Sequence, residues 1–168
     1  LRRGPRPAEP PPARDVRAAL ARPAGAALRL LAEVKLRSPS AWPLSWALGP
    51  ADRALAYARA GASMVSVLCD AHHFGGSFAH LAEARAALDA AGLAVPLLAK
   101  EFVIDRVQLE EARARGADAA LLIARIVSAA ELAELAAAAR DLGLEPLVEI
   151  TDLGELEAAI AADARVIG

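Results

Sequence analysis

Short, continuous apolar runs alternate along this chain with longer stretches rich in alanine, leucine and charged residues. The runs lie near 30–35, 64–68, 96–100, 119–123, 147–150 and 165–168. Few polar residues interrupt them, so each predicts a strand buried on both faces, as in a parallel sheet. The stretches between them predict crossover helices. Three helices end alike. Tyr57-Ala58-Arg59-Ala60-Gly61-Ala62 precedes the run at Met64, Glu111-Ala112-Arg113-Ala114-Arg115-Gly116-Ala117 precedes that at Ala119, and Ala138-Ala139-Arg140-Asp141-Leu142-Gly143 precedes that at Leu147. A glycine just past a helix takes the left-handed conformation and lets the chain turn back into the sheet. Helix starts are marked too. Asp15 caps a predicted short helix to Ala21, and Ser77 one over 78–90. Ser128-Ala129-Ala130-Glu131 reads as a capping box, and Asp152 with Glu155 as a weaker one.

Right-handed crossovers leave two architectures, an open doubly wound sheet or a closing barrel. No G-x-G-x-x-G follows the first strand, which argues against a dinucleotide-binding sheet. The expected fold class is α/β, a (β/α)8 TIM barrel that is incomplete at about its first six strands, with an N-terminal helical extension. Residues 1–13 read as a Pro/Arg-rich flexible tail and 14–168 as the partial barrel domain. The strand pattern at 165–168 stops without a following helix. The expectation is a fragment of a longer product, inactive as it stands.

Three of the predicted strands close on ionisable residues. Leu30-Leu31-Ala32 runs into Glu33 and Lys35, Val95-Pro96-Leu97-Leu98-Ala99 into Lys100, and Pro146-Leu147-Val148 into Glu149. Side chains alternate along a strand, so Leu31, Glu33 and Lys35 share a face, as do Leu98, Lys100 and Phe102, and Leu147 and Glu149. If those faces point inward, two acids and two lysines meet at one mouth, where barrel enzymes carry their chemistry. The plain alternative is a set of packing ion pairs, Glu33 with Lys35 or Lys100 with Glu149, which contribute little stability. A lysine ammonium is a good general acid for a carbonyl oxygen, and a glutamate opposite it a good base.

Composition narrows the class. The 168 residues are 56% hydrophobic and 24% charged, enough for one buried core. Aromatics are only 4%, which suits close helix-on-sheet packing better than an aromatic-cored sandwich. The net charge of -2, with no basic stripe beyond the N-terminal arginines, gives no basis for nucleic-acid binding. Cys69 is the single cysteine, which excludes an intramolecular disulfide and fits a reducing, cytoplasmic setting. No apolar stretch escapes interruption long enough to span a bilayer, and the Arg/Pro-rich start has no secretory apolar segment.

Weaker signals remain. Arg37-Ser38-Pro39-Ser40 follows the first strand, where hydroxyls and amides could hold a phosphate, though the same residues make an ordinary turn. Phe74-Gly75-Gly76-Ser77 is either an anion-binding loop or a connector. Cys69, His72 and His73 supply too few ligands at too loose a spacing for a metal centre, and Cys69 reads as a small packed hydrophobe. His80 and the glutamates of 110–111 and 155–157 read as solvated helix faces.

Several segments, in order, resemble the indole-3-glycerol-phosphate synthase family. They are Ala32-Glu33-Val34-Lys35-Leu36-Arg37-Ser38-Pro39-Ser40, Ser66-Val67-Leu68-Cys69-Asp70 with Phe74-Gly75-Gly76-Ser77, Leu97-Leu98-Ala99-Lys100-Glu101-Phe102, Gly116-Ala117-Asp118 with Leu121-Leu122-Ile123, and Pro146-Leu147-Val148-Glu149-Ile150. Arg14-Asp15-Val16 with Ala18-Ala19-Leu20 looks like its helical extension. The resemblance implies a carboxy-lyase of tryptophan biosynthesis that closes the indole ring of 1-(2-carboxyphenylamino)-1-deoxyribulose 5-phosphate, losing CO2 and water. It implies a phosphorylated, anthranilate-derived small-molecule substrate and no metal or organic cofactor. By the same resemblance Lys100 is the general acid, and Glu149 and Glu33 serve proton transfer. Lys35 holds the carboxylate or phosphate end and Ser38 helps bind phosphate, while Phe74, Phe102 and Leu121 line the pocket for the aromatic ring. The chain departs from the family at Glu101, where aspartate is usual, and in the apolar loop Ala41-Trp42-Pro43-Leu44-Ser45-Trp46. The alternative function is a non-catalytic short half-barrel that associates with another chain. Oligomeric state is not specified by the sequence.

Overall fold

The central strands are buried because their side chains on both faces are apolar and their backbone groups pair within one sheet, whereas the first and last strands stay partly exposed. In the computed structural model, which describes residues 10–37 and 48–168, six parallel strands run in the order β1-β2-β3-β4-β5-β6. They are β1 (Leu31–Val34), β2 (Met64–Leu68), β3 (Leu97–Lys100), β4 (Ala119–Ile123), β5 (Glu145–Glu149) and β6 (Val166–Ile167). A doubly wound sheet reverses its strand order midway. Here each strand pairs with its successor, so the sheet curls in one direction as a half-barrel.

The helices are α1 (Val16–Leu20), α2 (Pro50–Arg59), α3 (Ala71–Phe74), α4 (Phe78–Ala90), α5 (Arg106–Ala114), α6 (Ala129–Asp141) and α7 (Leu153–Ala161). The expected caps are present at Asp15, Ser77, Ser128 and Asp152. A further capping box, Asp105 with Gln108, opens α5 and was not anticipated from the sequence. Strand β5 starts at Glu145, two residues before its apolar run. The Glu145 amide donates to the Asp118 carbonyl at 2.9 Å, so backbone pairing extends the strand past Pro146.

Two apolar clusters lie on opposite faces of the sheet. The larger is the helix-facing layer, where Val65, Val67, Ala99, Leu122 and Val148 meet alanines and leucines of α2, α4, α5 and α6. Cys69 is buried there, as expected of a packed hydrophobe. The smaller is the inner face, formed by Met64, Leu98, Ala119 and Leu121 with Val16 from α1. Helix α1 therefore closes the end of the half-barrel at which the strands begin.

Residues 10–14 approach that same end. The Pro12 and Pro11 carbonyls accept from Arg85 at 2.9 Å and from Arg113 at 2.7 Å. The Arg14 amide donates to Asp118 at 2.7 Å. Ser38, Ser40 and the loop 41–46, on which several expectations fall, lie outside the described residues, as do residues 1–9.

Candidate active site

Strand β1 delivers Glu33 to the inner face, because Ala32 and Val34 on either side turn to the helix layer. By the same alternation β3 delivers Lys100 two residues beyond inward-facing Leu98. The two side chains meet. Lys100 Nζ donates to Glu33 Oε2 at 2.7 Å, and Lys35 Nζ lies 3.5 Å from Glu33 Oε1. All three are only partly exposed, at 37%, 29% and 29% for Lys100, Glu33 and Lys35. One carboxylate thus bridges two ammonium groups, and two positive charges against one negative leave the trio at +1. Such a site favours an anionic ligand over water.

Glu149 ends β5 in register with Ile123, two residues past Leu147 on the inner side. Its carboxylate has no ion pair or side-chain hydrogen bond among the described residues. The pairing of Lys100 therefore goes to Glu33 rather than Glu149.

The apolar side of the site has two levels. Leu121 is buried in the inner cluster, so it belongs to the floor. Phe74 and Phe102 stand at the rim. Lys35 Nζ sits 5.1 Å from the Phe74 ring centre, a cation–π approach. Phe102, exposed, meets the His73 ring edge-on at 5.9 Å.

His73 is a rim residue that sequence reasoning set aside with the metal question. Asp70 anchors it. Asp70 Oδ1 accepts from the His73 amide at 2.6 Å and the Phe74 amide at 3.1 Å, and lies 3.3 Å from His73 Nδ1. Burial works against ionisation of Asp70, yet these amides and the His73 ring hold its carboxyl below the ordinary range. The spacing Asp70 to His73 matches an N-cap to N3 step, which is the signal that could have found it.

Two amides of the Gly-rich loop bond to the chain's own backbone. The Gly76 amide donates to the Asp70 carbonyl at 2.7 Å and the Ser77 amide to the Leu68 carbonyl at 3.3 Å, so neither is free for an anion. A Cβ on Gly76 would lie 2.4 Å from the Leu68 oxygen, which is why only glycine fits that approach. Glu111 is not a solvated face. Its side chain is 17% exposed and bound to Arg115 at 2.8 Å, on a cavity wall shared with Phe78 and Ala79 of α4.

Among solved structures the curled sheet is similar to 3-keto-L-gulonate-6-phosphate decarboxylase from Vibrio cholerae. The TM-score is 0.62 at 13% identity, over 83% of this chain and 60% of that one. A putative phosphonomutase from Burkholderia cenocepacia gives 0.59 at 22% identity, over 83% and 61%. Both likenesses speak to the fold. Sequence likeness is closer. Indole-3-glycerol phosphate synthase 2 of Streptomyces coelicolor is 49% identical over 158 residues, covering 94% of this chain and 58% of that protein. Indole-3-glycerol phosphate synthase of Paenarthrobacter aurescens is 45% identical over 159 residues, covering 94% and 57%. The chain thus spans under three fifths of the length of these curated relatives. Among the described residues no helix is long and apolar enough to cross a membrane. The family described as indole-3-glycerol phosphate synthase matches residues 6–168, and with relatives this similar over nearly its whole length, the chain belongs to that family.

Proposed function

We propose that this chain supplies the acid–base half of a site that makes indole-3-glycerol phosphate from 1-(2-carboxyphenylamino)-1-deoxyribulose 5-phosphate, in the cytoplasm and without a cofactor. The observation that carries the reading is the 2.7 Å bond from Lys100 Nζ to Glu33 Oε2 at the open end of the inner face, with Lys35 3.5 Å from the same carboxylate. Lys100 gives its proton to the ribulose carbonyl oxygen as the aromatic ring carbon attacks the carbonyl carbon. The ring carboxylate then leaves as CO2, and its bonding electrons restore the aromatic ring. Loss of the new hydroxyl as water, with a proton removed beside it, completes the indole. Glu149 and Glu33 serve these proton transfers. A carboxylate without a cation of its own, as at Glu149, is suited to accept a proton.

Lys35 holds the substrate's carboxylate or phosphate end, and Ser38 adds a phosphate contact. Phe74 and Phe102 cover the aromatic ring from the rim while Leu121 supports it from below. The reading is tested by indole fluorescence with this substrate, using protein expressed from the full reading frame. Product formation that collapses in Lys100→Ala supports it. Absence of product from the wild type, or normal turnover by Lys100→Ala, refutes it.

A further inference from the structure

Ser66 is 1% exposed, and its hydroxyl is one of the buried polar groups with no hydrogen-bond partner among the described residues. A buried hydroxyl left unpaired costs stability, so its presence at an inward position asks for a function. Strand β2 turns Val65 and Val67 to the helices, and Met64 to the inner cluster. Ser66 therefore points inward with Met64. Its register neighbours are Leu98 on one side and Glu33 on the other. Leu98 offers nothing polar, so the carboxylate of Glu33 is the acceptor beside it. Paired strands lie about 4.8 Å apart, and a rotamer change brings a serine hydroxyl and a glutamate on neighbouring strands into bonding range.

In the structure Glu33 is turned toward Lys100 and Lys35 instead. On the function proposed above, that arrangement cannot last through turnover. Once Lys100 has passed its proton to the substrate oxygen it is a neutral amine, and its ion pair with Glu33 is gone. Lys35 stays beside Oε1 at 3.5 Å, but Oε2 loses its donor, and a half-buried carboxylate oxygen needs another. We propose that Ser66 is a positioning residue for Glu33, its hydroxyl bonding the carboxylate when Lys100 turns to the substrate. In the structure the hydroxyl is unpaired because the Glu33 carboxylate is turned toward the lysines.

The test has one arm that needs no turnover. Thermal melts are recorded for Ser66→Ala alone and in a Lys100→Met background, which keeps the apolar stem but removes the cation. With Lys100 present, removing the orphan hydroxyl should leave the melting temperature unchanged or raise it. With Lys100 removed, Ser66 becomes a donor to Glu33, and its loss should lower the melting temperature by about 4 °C. An equal shift in both backgrounds, or none in either, overturns the proposal. In the second arm Ser66→Ala should cut kcat about tenfold with KM nearly unchanged, and should cost nothing further in a Glu33→Gln background. The same loss with and without Glu33 overturns it as well. If the wild type forms no product but the melts change sign between backgrounds, the synthase reading fails and the Ser66–Glu33 coupling stands.

Discussion

Ionic clusters close both ends of the half-barrel, and they are built in opposite ways. At the end where the strands begin, the Asp118 side chain is fully buried. Its two oxygens accept from the Arg14 amide at 2.7 Å, the Leu97 amide at 2.8 Å and Arg85 at 3.2 Å. At the other end, Glu33 is held by two lysine side chains and, among the described residues, by no backbone amide. Backbone amides cannot swing away, whereas lysine stems can. The first cluster is fixed in place, and the second can rearrange around a ligand.

The charge balance agrees. Burial pushes the Asp118 carboxyl above its ordinary range despite the amides and guanidiniums beside it. Burial, then the like charge of Arg85, pulls Arg14 down despite Asp118 and Asp89. Neither partner is better off charged in the fold than in water. The cluster fixes where residues 10–14 dock more than it adds net stability.

The largest expected effect breaks the fixed end. Asp118→Ala leaves Arg14 and Arg85 facing each other and two amides unpaired, at a cost of about 3–5 kcal/mol by urea denaturation. Asp118→Asn, which keeps an acceptor, should cost clearly less. The mouth should respond in activity instead. Lys100→Ala is expected to lower kcat by about 100-fold or more. Its melt should change little, since a partly exposed ion pair contributes about 0–1 kcal/mol. A large stability loss there, or none at Asp118, would erase the distinction between the two ends.

The mouth was the legible end. A charged residue closing an apolar run is visible in sequence, and period-two alternation pairs Glu33 with Leu31, Lys100 with Leu98 and Glu149 with Leu147 on the faces of their own strands. The alternation of runs and helices left two strand orders open, and the barrel order rested on the missing G-x-G-x-x-G and the family resemblance. Asp118 was not legible in the same way. It stands just before β4 in a Gly-Ala-Asp turn that any surface loop could show, and its partners Arg14 and Arg85 lie 104 and 33 residues away. Ser66 hid among valines, because one hydroxyl hardly alters a hydrophobic run. Pairing of Lys100 with Glu33 rather than Glu149 depends on sheet curvature, which no local pattern encodes.

Glycine 116 sharpens the comparison, since it borders the fixed cluster. Its φ is +91°, and a Cβ there would fall 2.6 Å from Arg85 Cγ. Gly61 has a similar φ of +93° but open space around its missing Cβ. Both alanine variants carry the backbone strain, about 1 kcal/mol, and only Gly116→Ala also displaces Arg85 from Asp118. It should therefore lose about 1–2 kcal/mol more than Gly61→Ala in the same denaturation experiment. Equal losses would mean that Arg85 moves aside freely and that the cluster is less rigid than its geometry indicates.

Glu101 tests the comparison where its two halves mix. It follows Lys100 and so turns to the opposite face, half-buried, with its Oε1 accepting the Phe102 amide at 2.9 Å. Unlike Glu33 it has no cation partner among the described residues. Burial first, and then the charge of Asp70, push its carboxyl above the ordinary range. The folded state therefore binds this proton more tightly than the unfolded chain does. Stability from this group is fully present below the unfolded carboxylate value and declines as pH rises through the folded one. Glu101→Gln keeps the acceptor and removes the charge. Its melting temperature should exceed that of the wild type at neutral pH, and the two should converge as the solution is acidified through that window. Asp70, held low, loses its contribution at still lower pH in both proteins, so it largely cancels in the difference. Parallel curves across the whole range would show that Glu101 gains an unseen donor on folding, and that burial without a cation is not costly at this end of the sheet.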